Sequence, residues 1–173
     1  QFSPSGGKPT LADYGPFPND VYPAGRLDTD SEGLLLLTND GAFKHRLLEP
    51  RYSHRRTYLV QVERVPEEHD LERLRQGVVI EKERTLPAEV RLLPSEPHLP
   101  PRLIRFRAHI PTAWLELTLR EGRNRQVRKM TAAIGFPTLR LVRSSIGSVT
   151  IEGLSPGTVR ELTHAEARAL LEE

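Results

Sequence analysis

Apolar positions along this chain fall into two rhythms. Residues 57–63 (TYLVQVE) alternate, with Tyr58, Val60 and Val62 on one face and Leu59, Gln61 and Glu63 on the other, which predicts a strand with one buried face. Residues 113–120 repeat the pattern, Leu115, Leu117 and Leu119 facing opposite Trp114, Glu116 and Thr118. Residues 33–38 (GLLLLT) do not alternate and are too short for a surface helix, so a strand buried on both faces is expected. Further strands are expected at 78–80, 88–93, 103–110, 138–143 and 148–151, with a proline-rich loop at 94–102.

The helical rhythm is rarer. GAFKHRLLEP reads as a short helix ended by Pro50. Pro66 opens a second helix, with Glu67, Glu68 and Asp70 early, Arg73 and Arg75 late and Gly77 closing it, every charge agreeing with the helix dipole. Asn124 is the expected cap of a third, whose apolar stripe is Val127, Met130, Thr131 and Ile134, closed by Gly135. Residues 164–172 form a fourth. No regular βαβ repeat emerges, so the class is α+β: a mixed, mostly antiparallel sheet flanked by helices.

Composition narrows the chemistry. A length of 173 residues fits one domain, 1–173, or one domain in two lobes. There is no cysteine, which removes disulfides, thiolate nucleophiles and cysteine-bound zinc. The six histidines are scattered without the spacing of a helical metal site, and no metal is expected. No apolar stretch is long enough to cross a bilayer and no secretion leader opens the chain, so a cytoplasmic protein is expected. The opening QFSPSGGKPT, without a Met, is expected to be a trimmed start lacking an N-terminal strand.

The net charge of +2 says less than its distribution. Arg120, Arg123, Arg125, Arg128 and Lys129 crowd together against Glu121 alone, Arg102, Arg105 and Arg107 form a second group, and the C-terminal end carries Glu161, Glu166, Glu172 and Glu173. A basic stripe on a near-neutral protein suits a polyanion met at one face; a solvated helix surface would look the same.

The acidic stretch GRLDTDSEGLLLLTNDG, residues 25–41, admits three readings. As a calcium loop it supplies Asp28, Asp30 and Glu32 with Gly33 at the sixth position, then fails, because leucines follow and Asn39 stands where a bidentate Glu belongs. As a turn, Asp-Thr-Asp-Ser is adequate chemistry. As an active site, a carboxylate with arginine nearby at the mouth of a buried strand is held charged and aimed.

The third reading coincides with a family resemblance. GRLDTDSEGLLLLTNDG resembles the signature of the pseudouridine synthases of the small-subunit type, and RRTYLVQVE, GVVIEKERTLPAEV, EGRNRQVRKMTAAIGFPTLRLVRSSIG and GLSPGTVRELT continue the likeness in order over nearly the whole chain. IRFRAHIPTAWLELTLREGRNRQVRKM is similar to a branch acting on large-subunit ribosomal RNA that lacks an N-terminal S4-type domain.

The resemblance implies the family fold, two lobes with a cleft between. It implies isomerisation of a uridine, in which the N1 glycosidic bond breaks and C5 bonds to C1′, without metal, nucleotide or other cofactor. Asp28 matches the essential aspartate, acting ionised as nucleophile or base; Arg128 matches its basic partner; Tyr58 matches the tyrosine that stacks on the base. Arg26 matches the residue entering the space left by the extruded uridine, and Leu141 is the expected apolar wall. Arg123, Arg125 and Lys129 are expected on phosphates, with the Arg102–Arg107 group as a second rim. Trp114 is expected to pack rather than stack. The partner is large-subunit ribosomal RNA, with no DNA and no membrane, and a monomer is expected. A non-catalytic RNA-binding assembly factor or a metal-dependent nuclease using Asp28, Asp30 and Glu32 are the competing classes.

Overall fold

Strand formation follows the alternation. In the computed structural model, which describes residues 2, 6–7, 9–52 and 54–172, three long strands carry the sheet: β4 (Arg56–Glu63), β8 (Thr112–Leu119) and β9 (Thr138–Ile146). Gln1 and Glu173, which entered the reading of the two ends, lie outside the described residues. With β7 (Glu89–Leu92) and β10 (Val149–Thr150), the order is β10-β9-β4-β8-β7, antiparallel throughout. A two-residue strand, β2 (Glu32–Gly33), joins β9 in parallel, which makes the sheet mixed.

The inward faces of these strands build one large cluster. Val60 and Val62 of β4 lie in it with Leu115, Leu117 and Leu119 of β8 and Leu141 of β9. Two helices close over it: α2 (Glu68–Arg75) through Leu71 and Leu74, and α3 (Gln126–Ala133) through Val127 and Met130. The stripe expected on α3 is therefore its packed face, and burial of these side chains is the main stabilising term. Trp114, on the opposite face of β8, is 5% exposed and packed.

A second, smaller cluster gathers Ala24 of β1 (Tyr22–Ala24), Leu34, Leu36 of β3 (Leu36–Thr38), Leu47 of α1 (Gly41–Leu48), Ile146, Val149 and Leu170 of α4 (His164–Glu172). Asp40 starts α1 by accepting the N–H groups of Ala42 and Phe43 at 2.8 and 3.0 Å. β9 contributes Leu141 to the first cluster and Ile146 to the second, so one strand ties both together.

Four sequence expectations are corrected. Residues 33–38 are not one strand: Glu32–Gly33 belongs to the main sheet while Leu36–Thr38 pairs with β1 in a separate two-stranded sheet, and Leu35 and Leu37 are half-buried. The run reads as apolar throughout because it crosses from one sheet to another. Residues 103–110 form no strand, since Leu103 is wholly exposed at 101% and no neighbour offers a ladder. The cap of α3 is Arg125, in the left-handed region at φ 51°, while Asn124 accepts from Lys129 Nζ at 3.3 Å. β9 runs three residues beyond the expected 143, to Ile146. A two-residue hairpin went unread: β5 (Val79–Ile80) pairs with β6 (Glu83–Arg84) across Glu81 and Lys82, both at positive φ.

Candidate active site

The loop between β1 and β2 begins at the second cluster and ends against β9. Gly33 is what allows that ending. Its φ is +107°, and a Cβ there would lie 2.2 Å from the Arg143 backbone oxygen. Leu34 N–H donates to the same oxygen at 2.9 Å. The Arg143 side chain, 5% exposed, adds Nε to Leu34 O at 2.8 Å and Nη1 to Arg26 O at 3.3 Å, so one buried guanidinium holds both ends of the loop. At the tip, Ser31 N–H donates to Asp28 O at 2.9 Å and closes a turn.

Three carboxylates in this loop take three different directions. Glu32 is gripped by Arg140 through two hydrogen bonds of 2.9 Å and by Arg102 at 2.7 Å. Burial by itself would raise the Glu32 pKa, but the hydrogen bonds from Arg140 and Arg102 outweigh it and hold the group below its ordinary value. Asp30 is chelated by Arg125 at 2.9 and 2.8 Å. That hydrogen bonding is the largest reason its pKa lies low, opposed in part by burial and reinforced by the charge of Arg128. Asp28, among the described residues, makes one ion pair, at 3.5 Å to Arg125 Nη1. Its carboxylate faces an open cavity of about 500 Å³ lined by the loop, by Asn124 and Arg125 at the start of α3, and by Arg102. Among the described residues no group of three or more His, Cys, Asp or Glu could hold a metal.

The expected site residues separate into those at the cavity and those away from it. Arg26, Asp28 and Arg125 line it. Arg128 lies beside them but is turned to Asp30 rather than Asp28: Nη2 donates to Asp30 O at 2.7 Å, and Nε, which makes no hydrogen bond, lies 3.4 Å from Asp30 Oδ2. Burial lowers the Arg128 pKa, and the charges of Asp30 and Asp28 act against that. Arg125, expected on phosphate, is the residue that pairs with both aspartates.

Arg123 and Lys129 are drawn elsewhere. Arg123 donates to Ile80 O at 3.0 Å and Lys129 pairs with Glu81 at 2.6 Å, because the unread β5–β6 hairpin presents its carbonyls and acid to them. Tyr58 and Leu141 belong to the first cluster, Tyr58 half-buried at its edge and Leu141 only 6% exposed inside it. Tyr58 is in register with Arg143, the residue that holds the loop.

Arg140, Arg143 and Glu32 as anchors were missed from sequence. A signal existed: two arginines interrupt the apolar rhythm of a strand (TLRLVRSSI), and charged groups buried there need partners from another element.

Comparisons with known proteins fit this geometry. The family described as RNA pseudouridylate synthase matches residues 7–133. The ribosomal large subunit pseudouridine synthase E of Vibrio parahaemolyticus is 53% identical over 165 residues, covering 94% of this chain and 68% of that protein. The protein of the same name from Xanthomonas axonopodis is 56% identical over 151 residues, 86% of this chain and 79% of that one. A solved structure of a pseudouridylate synthase superposes with a TM-score of 0.80 at 34% identity, covering 94% of this chain. The chain spans 65% of that solved protein's length.

Proposed function

The chain belongs to the RNA pseudouridylate synthase family, and we propose that it isomerises a single uridine of large-subunit ribosomal RNA to pseudouridine, with Asp28 as the acting carboxylate. The observation that carries the assignment of Asp28 is the unequal use of the loop's acids. Arg125 chelates Asp30 and Arg140 chelates Glu32, while Asp28 alone faces the cavity without such a clamp. A carboxylate that is cationically flanked but not clamped by two hydrogen bonds is available as nucleophile or base. The substrate class rests on the relatives, whose names specify the large ribosomal subunit.

The remaining roles, that of Arg125 apart, are those the family resemblance implies. Arg125 and Arg128 supply positive charge beside the acid, and Arg125 fixes its direction as substrate enters. Arg26, exposed at the cavity rim, takes the space of the uridine turned out of its stack, offsetting part of the few kcal/mol of unstacking. Tyr58 meets the base from the cluster side, and Leu141 backs it. Arg123 and Lys129, in exchange with Ile80 O and Glu81, take backbone phosphates. The catalytic unit is one domain whose two clusters form its lobes, with the Asp28 cavity between loop and α3.

Pseudouridine formation on unmodified large-subunit RNA tests the reading, mapped by carbodiimide-blocked primer extension and compared with Asp28→Asn and Asp28→Ala. One mark by the unaltered chain, with both variants silent yet RNA-bound, is the expected result. Modification by the variants would remove Asp28 from the chemistry. RNA binding by all three without any mark would make the chain a binding factor on this fold.

A further inference from the structure

Residues 94–111 make no ladder with the sheet, yet the stretch from Pro100 to Arg107 is fastened at both ends. Pro100 O accepts from Arg140 Nη2 at 2.8 Å, and Arg102 reaches Glu32 at 2.7 Å. Farther along, Arg107 grips Glu63 through two hydrogen bonds of 3.0 and 2.6 Å. Between these anchors the chain holds outward Leu103, 101% exposed, and Phe106, 56% exposed, with exposed Arg105 between them. Large apolar side chains gain roughly 1.5–3 kcal/mol from burial, so a strap fixed at its ends that keeps two of them in water is shaped for an occupant.

The position and charge of the strap identify the occupant. Arg102 anchors the strap and also walls the Asp28 cavity, and Glu32, which holds Arg102, stands four residues after Asp28. Residues 97–110 contain three arginines and no acid. Two separated apolar side chains among cations suit stacked bases on a polyanion better than the continuous apolar patch of a protein partner. Unpaired RNA is recognised by bases stacked on aromatic side chains or arginine planes beside cations that track the backbone, which Phe106 and Arg105 supply here, with Leu103 as an apolar neighbour.

We propose that residues 102–107 form a stacking platform for an unpaired nucleobase flanking the target uridine, with Arg105 at the adjoining phosphate. The proposal rests on the RNA reading above but is separable from catalysis. The Glu32–Arg140–Pro100 anchor sets the spacing between this base and the Asp28 carboxylate, so the platform selects which uridine enters.

The test uses the doubly substituted Leu103→Ser/Phe106→Ser chain, whose changes are on the surface and leave the clusters intact. Binding to an unmodified large-subunit RNA fragment is measured in an Asp28→Asn background across a salt series, with 2-aminopurine scanned through the unpaired nucleotides of the fragment. The expected loss in affinity is roughly tenfold, as for loss of one stacked base, with the salt slope unchanged. One flanking 2-aminopurine should lose its quenching. Arg105→Ala should instead lower the slope by about one. With Asp28 intact, the double variant should raise KM more than it lowers kcat. Wild-type affinity in the double variant, or quenching indifferent to it at every position, overturns the platform. Because binding is read without turnover, failure of the enzymatic reading would leave this result interpretable.

Discussion

The β4–β8 ladder and the loop from Gly25 to Leu34 meet the same strand, β9, and are held by opposite physics. In the ladder, pairing runs in register from Arg56–Leu119 to Glu63–Thr112, and Val60, Val62, Leu115 and Leu117 are fully buried. Its energy is apolar burial spread over many side chains, so each is locally costly to lose but none aims a reactive group. The loop buries little, and its shape is set by a guanidinium at its ends, a glycine against a backbone oxygen, and carboxylates divided among arginines. Spreading the energy over many contacts makes a scaffold, whereas concentrating it in a few directional ones makes a site whose geometry is specific and easily broken.

Single substitutions can separate the two. Asp28→Asn should lower turnover by roughly 10²–10⁴-fold, the range for loss of an acting acid or base, while leaving the thermal midpoint in place; single-turnover kinetics beside calorimetry would read both. Leu115→Ala should do the reverse, removing about 2–5 kcal/mol of stability in urea unfolding with kcat/KM retained below the transition. Gly33→Ala should break the contrast, because its Cβ meets the Arg143 oxygen and its φ disfavours a side chain. A loss of about 2 kcal/mol or more together with a fall in kcat is expected, and normal values of both would mean that β2 can detach from β9 without consequence.

Acid sharpens the contrast because two of the loop's carboxylates are held low by arginines. Asp30 and Glu32 have folded-state pKa values below their ordinary ones. Their contribution is therefore fully present above the unfolded carboxylate range, near about pH 4, and is lost as pH falls through the lowered folded values. Glu32→Gln should cost about 2 kcal/mol at neutral pH, less than a fully buried pair, which loses roughly 3–5 kcal/mol, because its carboxylate is partly exposed. It should also flatten the acid limb of a stability–pH profile. A variant as acid-sensitive as the parent would place the titrating group elsewhere.

Alternation alone predicted β4 and β8 and the side chains each gives to the first cluster, and the stripe of α3 is its packed face, because one side chain in two, or three to four in seven, is a local property of a strand or helix. That β8 also buries Trp114 and Thr118 on its other face was not legible in the alternation. The acidic loop was recognisable as something other than a calcium site because the leucines after it could not be ligands. Partner choice is not local. That Arg128 turns to Asp30, that Arg125 bridges both aspartates, and that Lys129 goes to Glu81 depend on a hairpin and a loop brought together across more than forty residues. The leucine run at 34–37 shows the same limit: apolarity says that residues are buried, but which sheet takes them depends on where β1 and β9 present an unpaired edge. The sequence by itself determined the periodic elements, the chemical types at the site and the family they resemble. Only the tertiary structure decided which carboxylate was left without a two-bond arginine clamp, because charges select partners by distance and burial after the chain has folded.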